Sequence, residues 1–292
     1  MILVSGANGL NGFKVAAALS KMKAPVRALV RREPNAALAA LPGVEIVKGD
    51  MSQPETLAPA FHGADHAMLI SSAAEDMVSV QKNFIDAAKA AGVRHVVKLS
   101  GIIPGLDSPF RFARMHAEVE AYLEASGLAF THLRAGEFME SYFRQLRNIV
   151  SQGKLLLPME DAKIATLDTD DIAAAAALVL TAAGHEGKTY HLTGPEALTM
   201  HEIAAKISAA TGEPVSYFNV APQGAKDAQL AAGRPPYLVE GIAELFAERR
   251  KGAESKVYPD LPALLGRPAG SFDAFAARYA AVFKGEEKAP GL

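Results

Sequence analysis

The stretch Ile2-Leu3-Val4-Ser5-Gly6-Ala7-Asn8-Gly9-Leu10-Asn11-Gly12 decides how this chain is read. Ile2–Ser5 is a short apolar run of strand type, and Phe13–Met22 has helical spacing. A glycine-rich loop between a strand and a helix is the context a phosphate-binding turn requires. Gly6 permits the tight turn off the strand. Gly9 lets backbone approach a ligand with no Cβ in the way, and Gly12 allows close packing of helix on strand. The helix N-terminus then offers free N–H groups and a partial positive charge to a pyrophosphate. The spacing is GxxGxxG rather than GxGxxG, and three glycines near a turn also fit simple turn chemistry. The strand–loop–helix setting favours dinucleotide binding, with Gly6, Asn8, Gly9, Leu10, Asn11 and Gly12 as the candidate contacts.

Outward from the loop, short apolar runs alternate with amphipathic stretches, the βαβα rhythm of a parallel sheet. The expected strands are Ile2–Ser5, Val26–Val30, Val44–Val47, His66–Ile70, Val96–Leu99 and Ala129–Leu133. The expected helices between them are Phe13–Met22, Thr56–Phe61, Val78–Ala91 and Phe112–Ala125. Past residue 135 the rhythm loosens, with a helix over Ile172–Ala183, a strand over Thr189–Leu192, a helix over Met200–Thr211 and a mostly helical remainder. The fold class expected is α/β: a Rossmann-type doubly wound parallel sheet over residues 1–135. A smaller, mostly helical substrate-side region over 136–292 packs on it and returns a strand and a helix to it.

The residues after the second strand bear on which dinucleotide is bound. An acidic residue there accepts hydrogen bonds from the ribose of NAD. Here Val30 is followed by Arg31-Arg32, which suits the 2′-phosphate of NADP, so NADPH is the expected cofactor and NADH the less favoured one. Two solvated surface arginines are the competing reading, and Glu33 is then the ribose partner. Asp50 and Met51 follow the third strand and are placed near the adenine, although Asp50 also fits a cap ahead of Pro54. Ser71 and Ser72 follow the fourth strand on the same sheet edge, where ligands gather in open α/β sheets.

Composition removes several function classes. Half of the 292 residues are apolar, about a fifth are charged and the formal net charge is −2. No basic field points to nucleic acid or an anionic membrane, and no apolar run approaches the ~20 residues of a membrane-spanning helix. Met1 runs straight into the first strand, so no signal peptide is expected. Cysteine is absent, which removes disulfides, thiolate zinc sites and cysteine nucleophiles. A cytoplasmic protein is expected, with a small-molecule partner and a homodimer as its candidate assembly. No metal site is expected. His62 and His66 have HxxxH spacing, but Gly63 lies between them where a helix gives way to a strand. His201-Glu202 lacks the second histidine, since Ala205 stands in its place. No GxSxG elbow supports a serine hydrolase.

With these residues in hand, the chain resembles the atypical short-chain dehydrogenase/reductases of the NmrA-like group, in the quinone oxidoreductase and triphenylmethane reductase branch. The likeness rests on Gly6–Gly12, Val30-Arg31, Gly49-Asp50, His116–Glu120, Thr131–Arg134, Asp171–Ala173 and the ending around Ala232–Pro235, Leu261–Gly266 and Phe272–Tyr279. It implies NADPH binding and, in catalytic members, hydride delivery to a quinone or quinone-like conjugated acceptor. The group also includes non-catalytic NADP(H)-binding redox sensors, which is the alternative reading. An epimerase or dehydratase is a further rival. The Tyr-x-x-x-Lys pair of ordinary short-chain dehydrogenases is missing, since Tyr122 has Ser126 four residues on.

Candidate catalytic groups follow. Ser100 ends the fifth strand at the rim where a nicotinamide lies, though it also fits a turn before Gly101. Lys98 shares a strand face with Ser100 by period-2 alternation, and a lysine in a central parallel strand is unusual because burying its charge is costly. His116 stands where some NmrA-like reductases carry a working lysine, and it titrates near neutral pH. Glu120, one helical turn on, is placed to orient it. Phe138 and Tyr142 follow the sixth strand as candidates for an aromatic wall, with a core role for Phe138 as the competing reading.

The cofactor preference is testable. A charge-assisted hydrogen bond is worth about 1.5–3 kcal/mol, so one Arg–phosphate contact predicts roughly a tenfold to hundredfold preference for NADPH over NADH. Arg31→Ala is expected to raise the NADPH dissociation constant and leave that of NADH almost unchanged, with Arg32→Ala a weaker version. Equal wild-type affinities for both cofactors in fluorescence titrations at low salt would remove the assignment and promote Glu33.

Overall fold

The computed structural model describes residues 1–290. Its strands are β1 (Ile2–Val4), β2 (Val26–Val30), β3 (Val44–Lys48), β4 (His66–Leu69), β5 (His95–Gly101), β6 (Ala129–Ala135), β7 (Lys154–Leu157), β8 (Lys188–Leu192) and β9 (Ser216–Asn219). Its helices begin with α1 (Leu10–Lys21), α2 (Ala36–Ala39), α3 (Ala58–Phe61), α4 (Met77–Ala90), α5 (Arg111–Ala125), α6 (Leu146–Gln152) and α7 (Thr169–Thr181). They continue with α8 (Met200–Thr211), α9 (Pro222–Ala231), α10 (Pro236–Arg250), α11 (Asp260–Leu265), α12 (Phe272–Arg278) and α13 (Ala280–Phe283). No described helix is long and apolar enough to cross a membrane.

The chain divides into two compact units, the first formed by residues 1–107, 112–134 and 169–191, the second by 108–111, 135–168 and 192 onward. The first is built on a seven-stranded sheet in the order β3-β2-β1-β4-β5-β6-β8. β3, β2, β1, β4 and β5 pair in parallel, with Ile2 opposite Val26 on one side and His66 on the other. The order reverses between β1 and β4, and this is the point where open α/β sheets bind ligands beyond the carboxyl ends of their strands. Both faces of such a sheet are covered, which is why β1 and β2 are buried along their whole length. α7 packs against α1. Alanines 173, 175, 176 and 177 of α7 are all buried, and small side chains let helix axes approach closely.

The loop after β1 is held by two backbone constraints. Gly6 has φ +63°, and Cβ placed on Gly12 falls 2.2 Å from the Gly6 carbonyl oxygen. α1 therefore starts directly on the turn, and only a residue without a side chain fits.

Several boundaries differ from the sequence reading. The helix expected over Thr56–Phe61 is a 3-10 turn, Pro54–Thr56, followed by α3. Both segments carry proline in their first turn, where a missing N–H does no harm; further in, it breaks the ladder. α2 was not expected. It exists because the Asn35 side chain accepts the Leu38 N–H at 2.8 Å and caps it.

The second unit has its own core. Phe143 stacks on Phe275 with centroids 5.5 Å apart, and Tyr279 and Phe283 close around it. β7 and β9 form a parallel two-stranded ribbon, Leu155 opposite Tyr217, that periodicity did not reveal. Arg249 is buried between Glu137 and Glu254.

Gly12→Ala is expected to push helix from strand and cost about 2–4 kcal/mol of stability. Gly9→Val is expected to leave the melting temperature of the free protein nearly unchanged, since at Gly9 only the Gly6 carbonyl oxygen lies close, at 3.3 Å, yet to abolish NADPH binding. Melting curves with and without NADPH check both. A Gly12→Ala protein as stable as wild type would show the contact to be slack.

Candidate active site

The phosphate loop fits a pyrophosphate. α1 begins after Gly9 with no side-chain cap, and no acidic residue stands in its first turn. The amides of its first turn are therefore left for an anion. Asn11 Oδ1 is buried beside them with no hydrogen-bond partner, a polar atom that an arriving ligand group can satisfy. The exposed face of Gly9 is open.

Asn8 does something the sequence reading did not anticipate. Its side-chain amide donates to Glu33 O at 3.0 Å and its carbonyl accepts the Asn35 N–H at 3.0 Å. It therefore ties the loop to the segment after β2. Arg31 and Arg32 lie between the end of β2 and these anchors and are exposed. Glu33 is exposed and ion-paired with Lys48.

Asp50 closes its own turn. One carboxylate oxygen accepts the Ser52 N–H at 2.9 Å and the Ser52 hydroxyl at 2.8 Å. Its pKa is lowered chiefly by the Ser52 N–H, with help from the Ser52 hydroxyl and the Arg31 guanidinium against the opposing effect of burial. Met51 packs partly buried on the core and its carbonyl accepts Asn83 Nδ2 at 2.8 Å. At the end of β4, Ser71 Oγ accepts from Gln81 Nε2 at 2.8 Å, Gln81 Oε1 is left buried and unpartnered, and Ser72 is exposed.

The rim of β5 carries the most unusual chemistry. Alternation along the strand turns Lys98 and Ser100 to one face, and the one-turn spacing of α5 turns His116 and Glu120 toward it. Lys98 is wholly buried, and its Nζ lies 3.0 Å from Ser100 Oγ and 2.9 Å from His116 Nδ1. Arg134 on β6 grips Glu120 through Nε at 3.2 Å and Nη2 at 2.6 Å. Burial pushes the Lys98 ammonium down to about 7, with Glu120 opposing and Arg134 reinforcing the shift. His116 is held well below its ordinary value, first by burial and then by Lys98. Burial raises Glu120, but the bonds from Arg134 and Ser100 outweigh it and its pKa is lowered. Gly101 completes the arrangement, since a Cβ there would stand 3.0 Å from His116 Cδ2. The sequence offered no signal for that contact.

Two expectations are corrected. Glu120 does not orient His116, because its carboxylate is taken by Arg134 and Ser100; the partner of His116 is Lys98. Tyr142 does not wall an open site. It is buried in the core of the second unit, edge-on to Phe272 at 5.5 Å, with its pKa raised by burial. Phe138 is half-buried at the start of a 3-10 turn and bridges to Leu167. Among the described residues no cluster of three or more His, Asp or Glu side chains is placed to hold a metal.

This loop, switch point and rim define a dinucleotide-binding α/β protein. The chain belongs to the NmrA-like family, whose family model matches residues 1–256. An NAD(P)H azoreductase from Xenophilus azovorans is 36% identical over 283 residues, covering 97% of this chain and 99% of that protein. Among solved structures, the Escherichia coli NADPH-dependent quinone oxidoreductase complexed with NADPH superposes with a TM-score of 0.85 at 32% identity, covering 95% of this chain and 99% of that one. The Citrobacter sp. triphenylmethane reductase complexed with NADP(H) gives 0.85 at 30%, covering 96% and 100%.

The buried lysine makes stability depend on pH. Its folded pKa lies below the unfolded value of 10.5, so between those values the unfolded chain binds more protons and stability rises with pH. Compared with Lys98→Met, which has nothing to ionise, the wild type is expected to gain on the order of 4 kcal/mol between neutral pH and pH 10.5. Paired denaturant titrations of the two proteins check this. A constant difference across that window would mean that the lysine keeps its proton.

Proposed function

We propose that this chain is an NADPH-dependent reductase that delivers hydride to a quinone or a related conjugated acceptor, azo dyes included. It is an oxidoreductase and its cofactor is NADP(H). The observation that carries the catalytic reading is Lys98. A fully buried lysine hydrogen-bonded to an imidazole on the sheet's ligand-binding edge is costly to maintain, and a protein that only senses its cofactor gains nothing from it. The relatives with azo, quinone and triphenylmethane acceptors support the acceptor class.

NADPH, when bound, supplies the hydride. The chain's own residues do the rest. The amides at the start of α1 hold the pyrophosphate, and Arg31 with Arg32 selects the 2′-phosphate. Ser100 links Lys98 to Glu120 and keeps the rim rigid, while His116 presents Nε2 to the acceptor. The site carries no tyrosinate–lysine pair of the kind that alcohol or sugar chemistry uses. Tyr122 instead donates to Asp86 at 2.7 Å, which disfavours the epimerase reading.

NADPH oxidation followed by absorbance over a panel of benzoquinones, naphthoquinones and azo dyes tests the proposal. Turnover is expected on several of them, and His116→Ala is expected to lower kcat/KM by about tenfold to a hundredfold with an unchanged NADPH dissociation constant. Tight NADPH binding with no turnover on any acceptor would favour the sensor reading.

A further inference from the structure

Hydride transfer leaves a neutral acceptor as an anion, and the basicity of that anion depends on the acceptor. A quinone becomes the phenolate of a hydroquinone, a weak base that water readily protonates. An azo bond becomes a nitrogen anion, a far stronger base that needs a proton as it forms. His116 cannot meet that need as an imidazolium, because burial and the neighbouring Lys98 keep it neutral. As a neutral ring it can still pass a proton from one nitrogen to the other.

The geometry suits that passage. Lys98 Nζ lies against Nδ1, so a charged Lys98 donates there and places the ring proton on Nε2. His116 is only partly buried, and Nε2 has no hydrogen-bond partner among the described residues. Lys98 is reached by no solvent, so the imidazole is its route outward. The groups around Lys98 do not trap its proton. α5 presents His116 and Glu120, and β6 presents Arg134 and His132. Glu120 attracts the proton, but Arg134 neutralises Glu120 through two bonds and itself repels the proton. α7, also packed on β5, carries Asp170 and Asp171. In β4 the register neighbour of Lys98 is the apolar Leu69.

Building on the reductase reading, we propose that Lys98 is the proton store of the reaction and delivers its proton to the reduced acceptor through the His116 ring. Once the hydride has arrived, the acceptor anion takes the Nε2 proton; that N–H bond breaks and an N–H or O–H bond forms on the acceptor. Nδ1 takes a proton from Nζ, so the ring stays neutral in its other tautomer and Lys98 becomes an amine. One hydride and one proton have then reached the acceptor, which is reduced by two electrons as the nicotinamide is oxidised. Water restores the Nε2 proton, and the Nδ1 proton returns to Lys98. A lysine pushed down to about 7 both gives and regains a proton near neutrality.

The test compares full-length wild type, Lys98→Met and Lys98→Arg on an azo dye and on a benzoquinone. Arginine keeps the charge but does not release its proton. For the wild type, kcat on the azo dye is expected to fall as pH rises through about 7, because the store empties. Both variants are expected to lose that dependence. Their loss of rate is expected to be at least about tenfold greater on the azo dye than on the quinone, with unchanged NADPH dissociation constants. A second readout needs no turnover. In the NADP⁺-bound protein, the ¹⁵N signals of the His116 ring are expected to change tautomer with a midpoint near Lys98's, and to show no such step in Lys98→Met. Variants that match wild type in azo rate and pH profile would overturn the relay while leaving the reductase reading intact. So would a His116 ring that shows no step near neutral pH. Wild type that reduces no acceptor overturns the reductase reading itself, and the relay with it.

Discussion

The contact between Gly12 and the Gly6 carbonyl oxygen is the constraint on which the first unit depends. A Cβ at Gly12 would lie 2.2 Å from that oxygen, so α1 can leave the turn only where no side chain intervenes. The consequence is chemical as well as steric. A helix that begins directly on the turn keeps its first amides uncapped and aimed over the end of β1. α1 packs against the alanine-rich α7, and the ligand edge of the sheet lies at the β1–β4 reversal.

The rim of β5 follows the opposite logic. A charged group inside a covered parallel sheet works against folding, and the structure softens the conflict rather than removing it. Ser100 and His116 accept from two of the three Lys98 donors, and Glu120 is held by Arg134 so that its charge does not fix the lysine in the protonated form. The result is a group whose two protonation states lie close in free energy at neutral pH, as proton transfer requires. In the proposed relay, stability given up at this position is retained as reactivity.

Much of the first unit was readable because parallel strands covered on both faces are continuous apolar runs, and helices between them keep their 3.6-residue period. β2 was placed without error, and β1 and β4 to within a residue. The losses have specific causes. Proline split the segment at 54–61 into two short pieces. The β7–β9 ribbon is made of four-residue strands far apart in the chain, with Phe218 exposed, so no alternating pattern marks it. Tyr142 was misread because an aromatic residue after a strand looks the same whether it lines a site or fills a core. The tie from Asn8 to Glu33 and Asn35 left no trace in the sequence because those partners lie in another loop.

The sequence by itself determined the doubly wound α/β class, the position of the glycine-rich loop and the basic pair after β2. These follow from local rules: the need for glycine in a tight turn, the periodicity of burial and the charge of a side chain. It also flagged Lys98 as out of place. Only the tertiary structure decided what Lys98 does about its charge. Its partners come from the same strand two residues on, from a helix and from a neighbouring strand, and such a meeting is set by packing across the sheet rather than by any spacing along the chain. For the same reason, Glu120 looks like the orienter of His116 on a helical wheel but serves Arg134 in the folded protein.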